Sequence, residues 1–515
     1  MKASLKVAFV HAARHIDAVH EPPRGGVQLG PLFMASLLKE RGHEVIYMDE
    51  SVRGGSWNRR EMCIRQLRPG RRGIKELPCE KTWEEVQIEK MKDFHAMSPK
   101  QFIEKWSAFK ADGSVERIVA RVGVSEKETI EHLRSLNLDA VGIPLAPTAN
   151  YLSATSLGWK IKKALPKVRI VMGGQHITAD PEAFVKKNGW VHNVADGDAI
   201  TTIERMFKGR ALGKIVKGGF QTMDQFPLMD CSLVADAGYP EQPTHNFPSG
   251  LRSIDWMASR GCYRDCAFCF AGRKEQEVTQ SDWQRIRAQL DHFVAQGLQE
   301  VVFEDDAILY KSKKFFLPLL EELKKRGLSF SDNGGVEFES FSAEIADAIV
   351  QYNTDPRPGR CLSLYIPFNP RSWNERETAA GAMTRKHHQN LESLAKVRAK
   401  VRGAGVYTFT SLIVGTPDQT KESYLEDVEV LRDLIKAGYL DAALPLSATM
   451  LPGTEWYTRN GHNIVHPDDW VGYNLFSTHH RTDHMSPREI EECMVHAVQH
   501  LSDVQKIAPW QCAYV

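Results

Sequence analysis

No stretch of the 515 residues approaches the roughly 18 consecutive apolar residues of a membrane helix. The apolar run near the start, Val7 to Val10, is four residues long and is followed directly by His11, Arg14 and His15. That is too short for a signal-peptide core and predicts a cytoplasmic protein. Charge of one sign is not in excess either. Lys and Arg number 66 against 65 Asp and Glu, a formal net charge of +1, so no global field favours nucleic acid. There is no low-complexity segment and no short repeat. With 42% hydrophobic and 25% charged residues, the composition is that of a folded globular chain of about three domains.

Cysteine is scarce as well. The nine residues, at 63, 79, 231, 262, 266, 269, 361, 493 and 512, are odd in number and mostly scattered, which argues against a disulfide framework. Cys63, Cys79, Cys231, Cys361 and Cys493 read as core or surface thiols, and Cys512 lies in an aromatic tail with Trp510 and Tyr514.

What is present is an alternation of strands and helices. Lys6–Val10 and Glu44–Met48 read as strands around a helix at Leu32–Glu40 that Gly42 stops. Ala140–Ile143, Arg169–Met172 and His192–Val194 continue the series, with a helix at Ser153–Leu165. Such alternation predicts a parallel sheet whose ligands sit beyond the carboxyl ends of its strands. The loops 11–26, 144–151, 173–180 and 196–202 lie on that edge. Residues 51 to about 120 interrupt the pattern. They are first basic (Arg59, Arg60, Arg65, Arg68, Arg71, Arg72) and then helical, an insertion read as a solvated excursion, or alternatively as a lid or partner surface.

A Pro- and Gly-containing stretch at Pro240–Gly250 marks a boundary. Beyond it, Ser253–Ala258, Glu300–Phe303, Cys361–Ile366, Tyr407–Val414 and Ala442–Leu446 read as strands, interleaved with helices at Asp282–Gln296, Lys314–Lys325, Ala343–Tyr352, His387–Arg402 and Lys421–Ala437. This predicts a full or partial (β/α)6 barrel. The expected division is a Rossmann-like α/β domain over 1–215, a linker over 216–250, a barrel over 251–455 and a tail over 456–515 with a helix near Pro487–Leu501.

Three cysteines fall within eight residues, Cys262-Tyr263-Arg264-Asp265-Cys266-Ala267-Phe268-Cys269, directly after the first strand of the second series. In a chain of this cysteine content that spacing is expected by chance about 0.003 times. Three thiolates so placed suit three irons of one cubane cluster, leaving a fourth iron for a non-protein ligand. Zinc also takes thiolates, but a structural zinc site wants a fourth Cys or His in a paired arrangement, and none stands nearby.

The C-x3-C-x2-C spacing, with Phe268 before the last cysteine, resembles the radical S-adenosylmethionine (SAM) superfamily. The resemblance implies a 4Fe–4S cluster on Cys262, Cys266 and Cys269 whose open iron chelates SAM. One-electron reduction would then yield a 5′-deoxyadenosyl radical. On the same resemblance, Phe268 lies at the SAM site. Glu304, Asp305 and Asp306, closing the second barrel strand, would face the SAM amine. Gly415, Thr416 and Pro417 would line the adenine side, and Leu451-Pro452-Gly453-Thr454 matches the turn after the last barrel strand. Leu364-Tyr365-Ile366-Pro367-Phe368-Asn369-Pro370 departs from the pattern, because many relatives carry a carboxylate there.

Residues 1–215 resemble the cobalamin-binding domain that precedes the radical domain in one large subgroup. Leu29-Gly30-Pro31, Val141-Gly142-Ile143, Gly173-Gly174-Gln175-His176 and Ala195-Asp196-Gly197-Asp198 carry that likeness. It implies Gly142, Gly173, Gly174, His176, Gly197 and Asp198 as corrin contacts. The Asp-x-His-x-x-Gly motif that supplies an axial histidine is absent, and Asp17 precedes His20 at the wrong spacing, so His11, His15 and His20 read as loop histidines. His479, His480 and His484 read as surface or substrate-pocket residues.

Taken together, the resemblance implies a cobalamin-dependent radical SAM C-methyltransferase. It would act on a small molecule and draw electrons from a flavodoxin or ferredoxin. The rivals are another radical transformation with the same cofactors, such as ring formation, ring contraction or rearrangement; a methylthiotransferase, which would want an N-terminal cysteine trio; and a non-catalytic cobalamin or redox sensor.

Overall fold

The computed structural model describes residues 4–21, 26–53, 63–70, 73–78, 82–210, 213–235, 249–264, 266–270, 277–336, 340–367 and 391–505. Eighteen strands among them are β1 (Lys6–His11), β2 (Arg14–Asp17), β3 (Glu44–Asp49), β4 (Cys63–Gly70), β5 (Gly73–Pro78), β6 (Ile118–Val122), β7 (Ala140–Pro144), β8 (Arg169–Gly173), β9 (Asn193–Gly197), β10 (Ile215–Gly219), β11 (Ser253–Trp256), β12 (Ser259–Arg260), β13 (Thr279–Gln280), β14 (Glu300–Phe303), β15 (Ser329–Asp332), β16 (Cys361–Tyr365), β17 (Tyr407–Val414) and β18 (Ala442–Ser447). No helix among the described residues is long and apolar enough to cross a membrane.

The first sheet is six-stranded and parallel, in the order β10-β9-β8-β7-β1-β3. The order reverses between β1 and β7, so the switch-point crevice opens beside His11 and Pro144. Both faces of these strands are apolar because helices cover both. Ala8, Val10, Val141, Ile143, Ile170 and Met172 pack on one side against the helix Tyr151–Ala164. Val7, Phe9, Ala140 and Val171 face the other way, toward the helix Leu29–Glu40. That second face shares one continuous apolar core with the second sheet, through Ile254, Trp256, Val301 and Phe303. The strand Ile215–Gly219 belongs to this sheet and passes the boundary expected at 215.

The second sheet is parallel and in sequential order, β11-β14-β15-β16-β17-β18, the open six-stranded form of a (β/α) barrel. Its third strand, Ser329–Asp332, is absent from the sequence reading: Ser-Phe-Ser-Asp has one apolar residue, so no apolar run announces it. Its buried polar groups are held largely by hydrogen bonds: Ser331 Oγ donates to Glu300 Oε1 at 2.6 Å, and Asp332 Oδ2 accepts from Gly335 N–H at 2.9 Å.

The insertion is not a solvated excursion. Strands β2, β6, β4 and β5 form an antiparallel sheet, and helices Trp83–Ala96 and Pro99–Trp106 each begin in a capping box, Thr82 with Glu85 and Ser98 with Gln101. Phe94, Phe102, Ile103 and Trp106 share a core with Val495 and Val498 of the tail helix Pro487–Leu501. A spacing argument within the insertion cannot foresee a partner some 400 residues away. Of the basic residues noted above, Arg59, Arg60, Arg71 and Arg72 lie outside the described residues, as do Cys79 and Cys512.

Candidate functional site

The cysteine loop leaves the first barrel strand at its carboxyl end. Gly261 turns the chain with φ +89°, and a Cβ there would lie 2.4 Å from Glu277 O, so only glycine fits without strain. Cys262, Cys266 and Cys269 follow, all partly exposed and unbridged. Arg264 N–H donates to Cys262 Sγ at 3.4 Å, and Cys269 N–H donates to Cys266 O at 3.0 Å. Among the described residues, no three His, Cys, Asp or Glu side chains gather about a point within reach of a single ion. A four-iron cube instead spreads its thiolates over its corners, and three soft thiols on one partly exposed loop fit that demand.

Two sides hold this loop. On one, Asp305 is fully buried and accepts from Ala258 N–H at 3.1 Å and from Ser259 Oγ–H at 2.6 Å. Burial, reinforced by Asp306, pushes its carboxyl up to about 7. Asp306 accepts from Gly261 N–H at 3.0 Å, and Glu304 accepts from Asn333 Nδ2 at 2.8 Å. Asp305 is therefore a staple for residues 258–259. On the other side, Thr454 caps a short helix, Glu455–Asn460. Trp456 N–H from that helix donates to Ala267 O at 3.0 Å, and its ring stands 5.5 Å from that of Phe268.

Gly415, Thr416 and Pro417 form the loop after the fifth barrel strand. Gly415 N–H donates to Gln419 Oε1 at 2.8 Å, and Gly415 O accepts from His480 Nε2 at 2.8 Å. The proton of His480 therefore sits on Nε2, and burial lowers its pKa to about 4. His479 and His480 are 1% and 0% exposed, so the tail places them in the interior rather than at the surface; His484 is exposed. His480 is neutral in both states above its unfolded value of 6.5; below that the unfolded chain takes up the proton first, and stability falls until about 4. The stability difference between the wild type and His480→Gln is therefore expected to shrink by about 2–3 kcal/mol from pH 7 to 4.5, read from urea unfolding.

In the first sheet, Gly173 and Gly174 end β8, and Gly174 has φ +124° with Leu145 O 2.5 Å from where its Cβ would stand. His176 lies against Tyr151 and Trp470, ring centroids at 5.1 and 5.3 Å, and burial, with Lys187 nearby, lowers its pKa to about 4. At the β9–β10 edge Gly197 stands beside Gly219, and among the described residues nothing lies within 4 Å of a Cβ built on Gly219. His11 ends β1 at the crevice, 3% exposed, with the Gln28 side chain beside it, and among the described residues neither ring nitrogen has a well-formed hydrogen bond. Glycines at the carboxyl ends of β8, β9 and β10 and a buried imidazole at the switch point suit a large ligand with polar groups.

Two residues expected at the corrin have partners inside the protein. A Cβ on Gly142 would stand 2.9 Å from the Phe9 ring, so this glycine makes room for packing inside the sheet. Asp198 accepts from Arg260 Nη2 at 2.8 Å, from Arg260 Nη1, and from Gln221 N–H at 2.8 Å. The Arg260 guanidinium also lies over the Phe220 and Phe226 rings, at 4.7 and 5.2 Å. Arg260 stands two residues before Cys262, so this fork latches the cysteine loop to the carboxyl edge of the first sheet. Arg260→Ala is expected to destabilise the chain by about 2 kcal/mol in urea unfolding, and Arg260→Lys to recover only part, because an ammonium cannot make the fork.

Comparison with known proteins bears on the fold that carries these residues. The B12 binding domain family matches residues 107–205. A TsrM structure from Kitasatospora setae, a radical S-adenosylmethionine methyltransferase with cobalamin and a [4Fe-4S] cluster bound, superposes with TM-score 0.52 at 14% identity, over 99% of this chain and 92% of that one. The chain shares the fold of that cobalamin- and cluster-bound structure. Among sequence relatives, the uncharacterized methyltransferase PH0819 of Pyrococcus horikoshii is 22% identical over 70% of this chain and 78% of its own length. A tRNA-2-methylthio-N(6)-dimethylallyladenosine synthase of Corynebacterium glutamicum is 26% identical over 57% of this chain, which spans about half (54%) of that synthase. Within this fold, the Arg260 latch and the Asp305 staple are features that the motifs alone do not show. Their only sequence trace is an Arg and two Asp residues at strand ends, which composition alone reads as solvated turns.

Proposed function

We propose that this chain is a cobalamin-dependent radical SAM methyltransferase that methylates an unactivated carbon of a small molecule. The observation that carries the reading is the latch: Asp198 of the B12-matched segment grips Arg260, two residues ahead of the cysteine triad. Cluster site and corrin site thereby share one interface between two sheet edges, where a substrate has access to both.

In this reading residues 1–219 hold cobalamin, 251–455 hold the cluster and SAM, and 456–505 brace both. Cys262, Cys266 and Cys269 hold the 4Fe–4S cluster. Phe268, Glu304, Asp306, Gly415, Thr416 and Pro417 shape the SAM site, with Asp305 as a positioning residue. Gly173, Gly174, His176 and Gly197 border the corrin. When bound, cluster and SAM supply a substrate-activating radical and cobalamin supplies a transferable methyl group. The protein's part is to fix the loops, exclude water and keep the buried imidazoles neutral. An electron donor of the flavodoxin or ferredoxin kind, in the cytoplasm, completes the scheme.

TsrM has also been seen with a tryptophan substrate and a SAM analog, a small molecule in the same architecture. Likeness over nearly the whole of TsrM, against half of the tRNA-modifying synthase, favours a small acceptor over RNA. The test is anaerobic reconstitution with cobalamin, a reductant and SAM labelled at its methyl group, screened against candidate metabolites. The expected product gains the label and the mass of one carbon and two hydrogens. Corrin retention with a product of unchanged mass would assign a rearrangement instead.

A further inference from the structure

The tail segment 464–485 joins the two loops assigned above to cobalamin and SAM, through an unbroken series of ring contacts. His176 meets Trp470 edge-on at 5.3 Å, and Trp470 also stacks on Tyr151 at 4.3 Å. Trp470 stacks in turn on Tyr473 at 5.5 Å, and Tyr473 on His479 at 4.4 Å. His479 lies 5.2 Å from His480, whose Nε2–H closes the series on Gly415 O at 2.8 Å. Beyond it, His480 Nε2 stands 3.0 Å from where a Cβ of Gly415 would be, so the imidazole fixes the backbone of that loop from behind. Met450 N–H donates to His479 Nε2 at 3.3 Å, which ties the middle of the series to the segment following the last barrel strand.

The segment is fastened at both ends by one side chain of the B12-matched region. Arg117 Nε donates to Asp469 Oδ2 at 2.7 Å, and Arg117 Nη2 donates to Thr478 O at 2.6 Å. Between these points the chain wraps so closely that a Cβ on Gly472 would lie 2.6 Å from Arg117 Nη2 and 2.7 Å from Asp469 Oδ2. A packed element pinned in this way moves as a body rather than bending, because a close-packed interior transmits displacement. A shift of His176 toward a bound ligand therefore has one direct route to the Gly415 loop.

We propose that residues 469–480 are a strut that couples the two cofactor sites, with Trp470 reading the position of the His176 loop and His480 as the positioning residue of the Gly415 loop. This rests on the functional reading above. Occupancy of one site then tightens the other, and thermodynamic linkage requires the same factor in both directions.

The experiment uses the full chain with its cluster reconstituted anaerobically. SAM affinity is measured by equilibrium dialysis with and without hydroxocobalamin, and hydroxocobalamin affinity with and without SAM. In the wild type each ligand is expected to tighten the other by about tenfold. Trp470→Leu should bring that factor to within twofold of unity while both ligands still bind, and Trp470→Phe, which keeps a ring, should retain most of it. His480→Gln should weaken SAM and leave hydroxocobalamin alone measured within twofold. A residue serving stability alone would change neither factor in folded protein, and matched circular dichroism and urea midpoints identify the variants that qualify. Equal affinities in the presence and absence of the other ligand in the wild type, or a full coupling factor in Trp470→Leu, would overturn the strut. A wild type that binds neither ligand would instead overturn the functional reading on which it rests.

Discussion

Replacing any one of Cys262, Cys266 and Cys269 by alanine is expected to abolish reductive cleavage of SAM, with a loss on the order of 1000-fold or more, about 4 kcal/mol of barrier. The reason is ligand arithmetic: a cube with one iron open for SAM has three protein ligands, and removing one leaves an iron without a thiolate. The fold itself should tolerate the change. All three thiols are partly exposed, and the loop is held by groups outside the triad, namely Asp305 on Ser259, Asp306 on Gly261 and Trp456 on Ala267. Circular dichroism and the urea midpoint should therefore stay near the wild type while iron content and the brown absorbance collapse. The buried thiols are the contrast. Cys231, Cys361 and Cys493 are each pushed up by burial, which makes them poor metal ligands, and Cys361→Ser should leave the cluster in place.

Arg117→Met is expected to have the largest effect on stability, a loss of about 3–5 kcal/mol in urea unfolding. The guanidinium side chain is 3% exposed and donates at 2.7 Å to both Asp17 and Asp469. Asp17 comes from the strand after β1, and Asp469 from the tail. Without the cation Asp17 is left buried and Asp469 partly buried, and the charge of Asp17 then rests on His20, nearby backbone N–H groups and the field of buried Lys90. The combination Arg117→Met with Asp17→Asn and Asp469→Asn should recover part of the loss, because it removes the stranded charges. An Arg117→Met loss under about 1 kcal/mol would show that the insertion and tail do not depend on this node for their docking.

The sequence made the layered plan legible because parallel strands buried on both faces appear as short apolar runs. Glu300–Phe303 and Tyr407–Val414 fall where their runs place them. The tail helix Pro487–Leu501 is equally plain, since Ser486 and Glu489 form its capping box and Pro487 opens its first turn. Ser329–Asp332 was hidden because three of its four residues are polar, so no apolar run marks it, and Ser331 is held by a hydrogen bond to Glu300. The antiparallel sheet of the insertion was hidden because its strands come from three separated segments.

At the site, the cysteine triad stands out from spacing alone, because three thiols within eight residues are brought close in space by one loop. The roles of Asp198, Asp305 and Gly142 were not. A carboxylate after a strand looks the same whether it meets a ligand, a guanidinium 62 residues later or the backbone of a neighbouring strand. Likewise His480 carries no motif, and its function follows only from the tail folding back onto Gly415.

The most direct test of the central claim is the fate of SAM on the anaerobically reconstituted, cobalamin-loaded chain given a low-potential reductant. The claim requires 5′-deoxyadenosine to appear in the wild type, and to be absent when Cys262, Cys266 and Cys269 are all alanine. Intact SAM after reduction of a fully loaded cluster, or 5′-deoxyadenosine formed equally well by the triple variant, would contradict it.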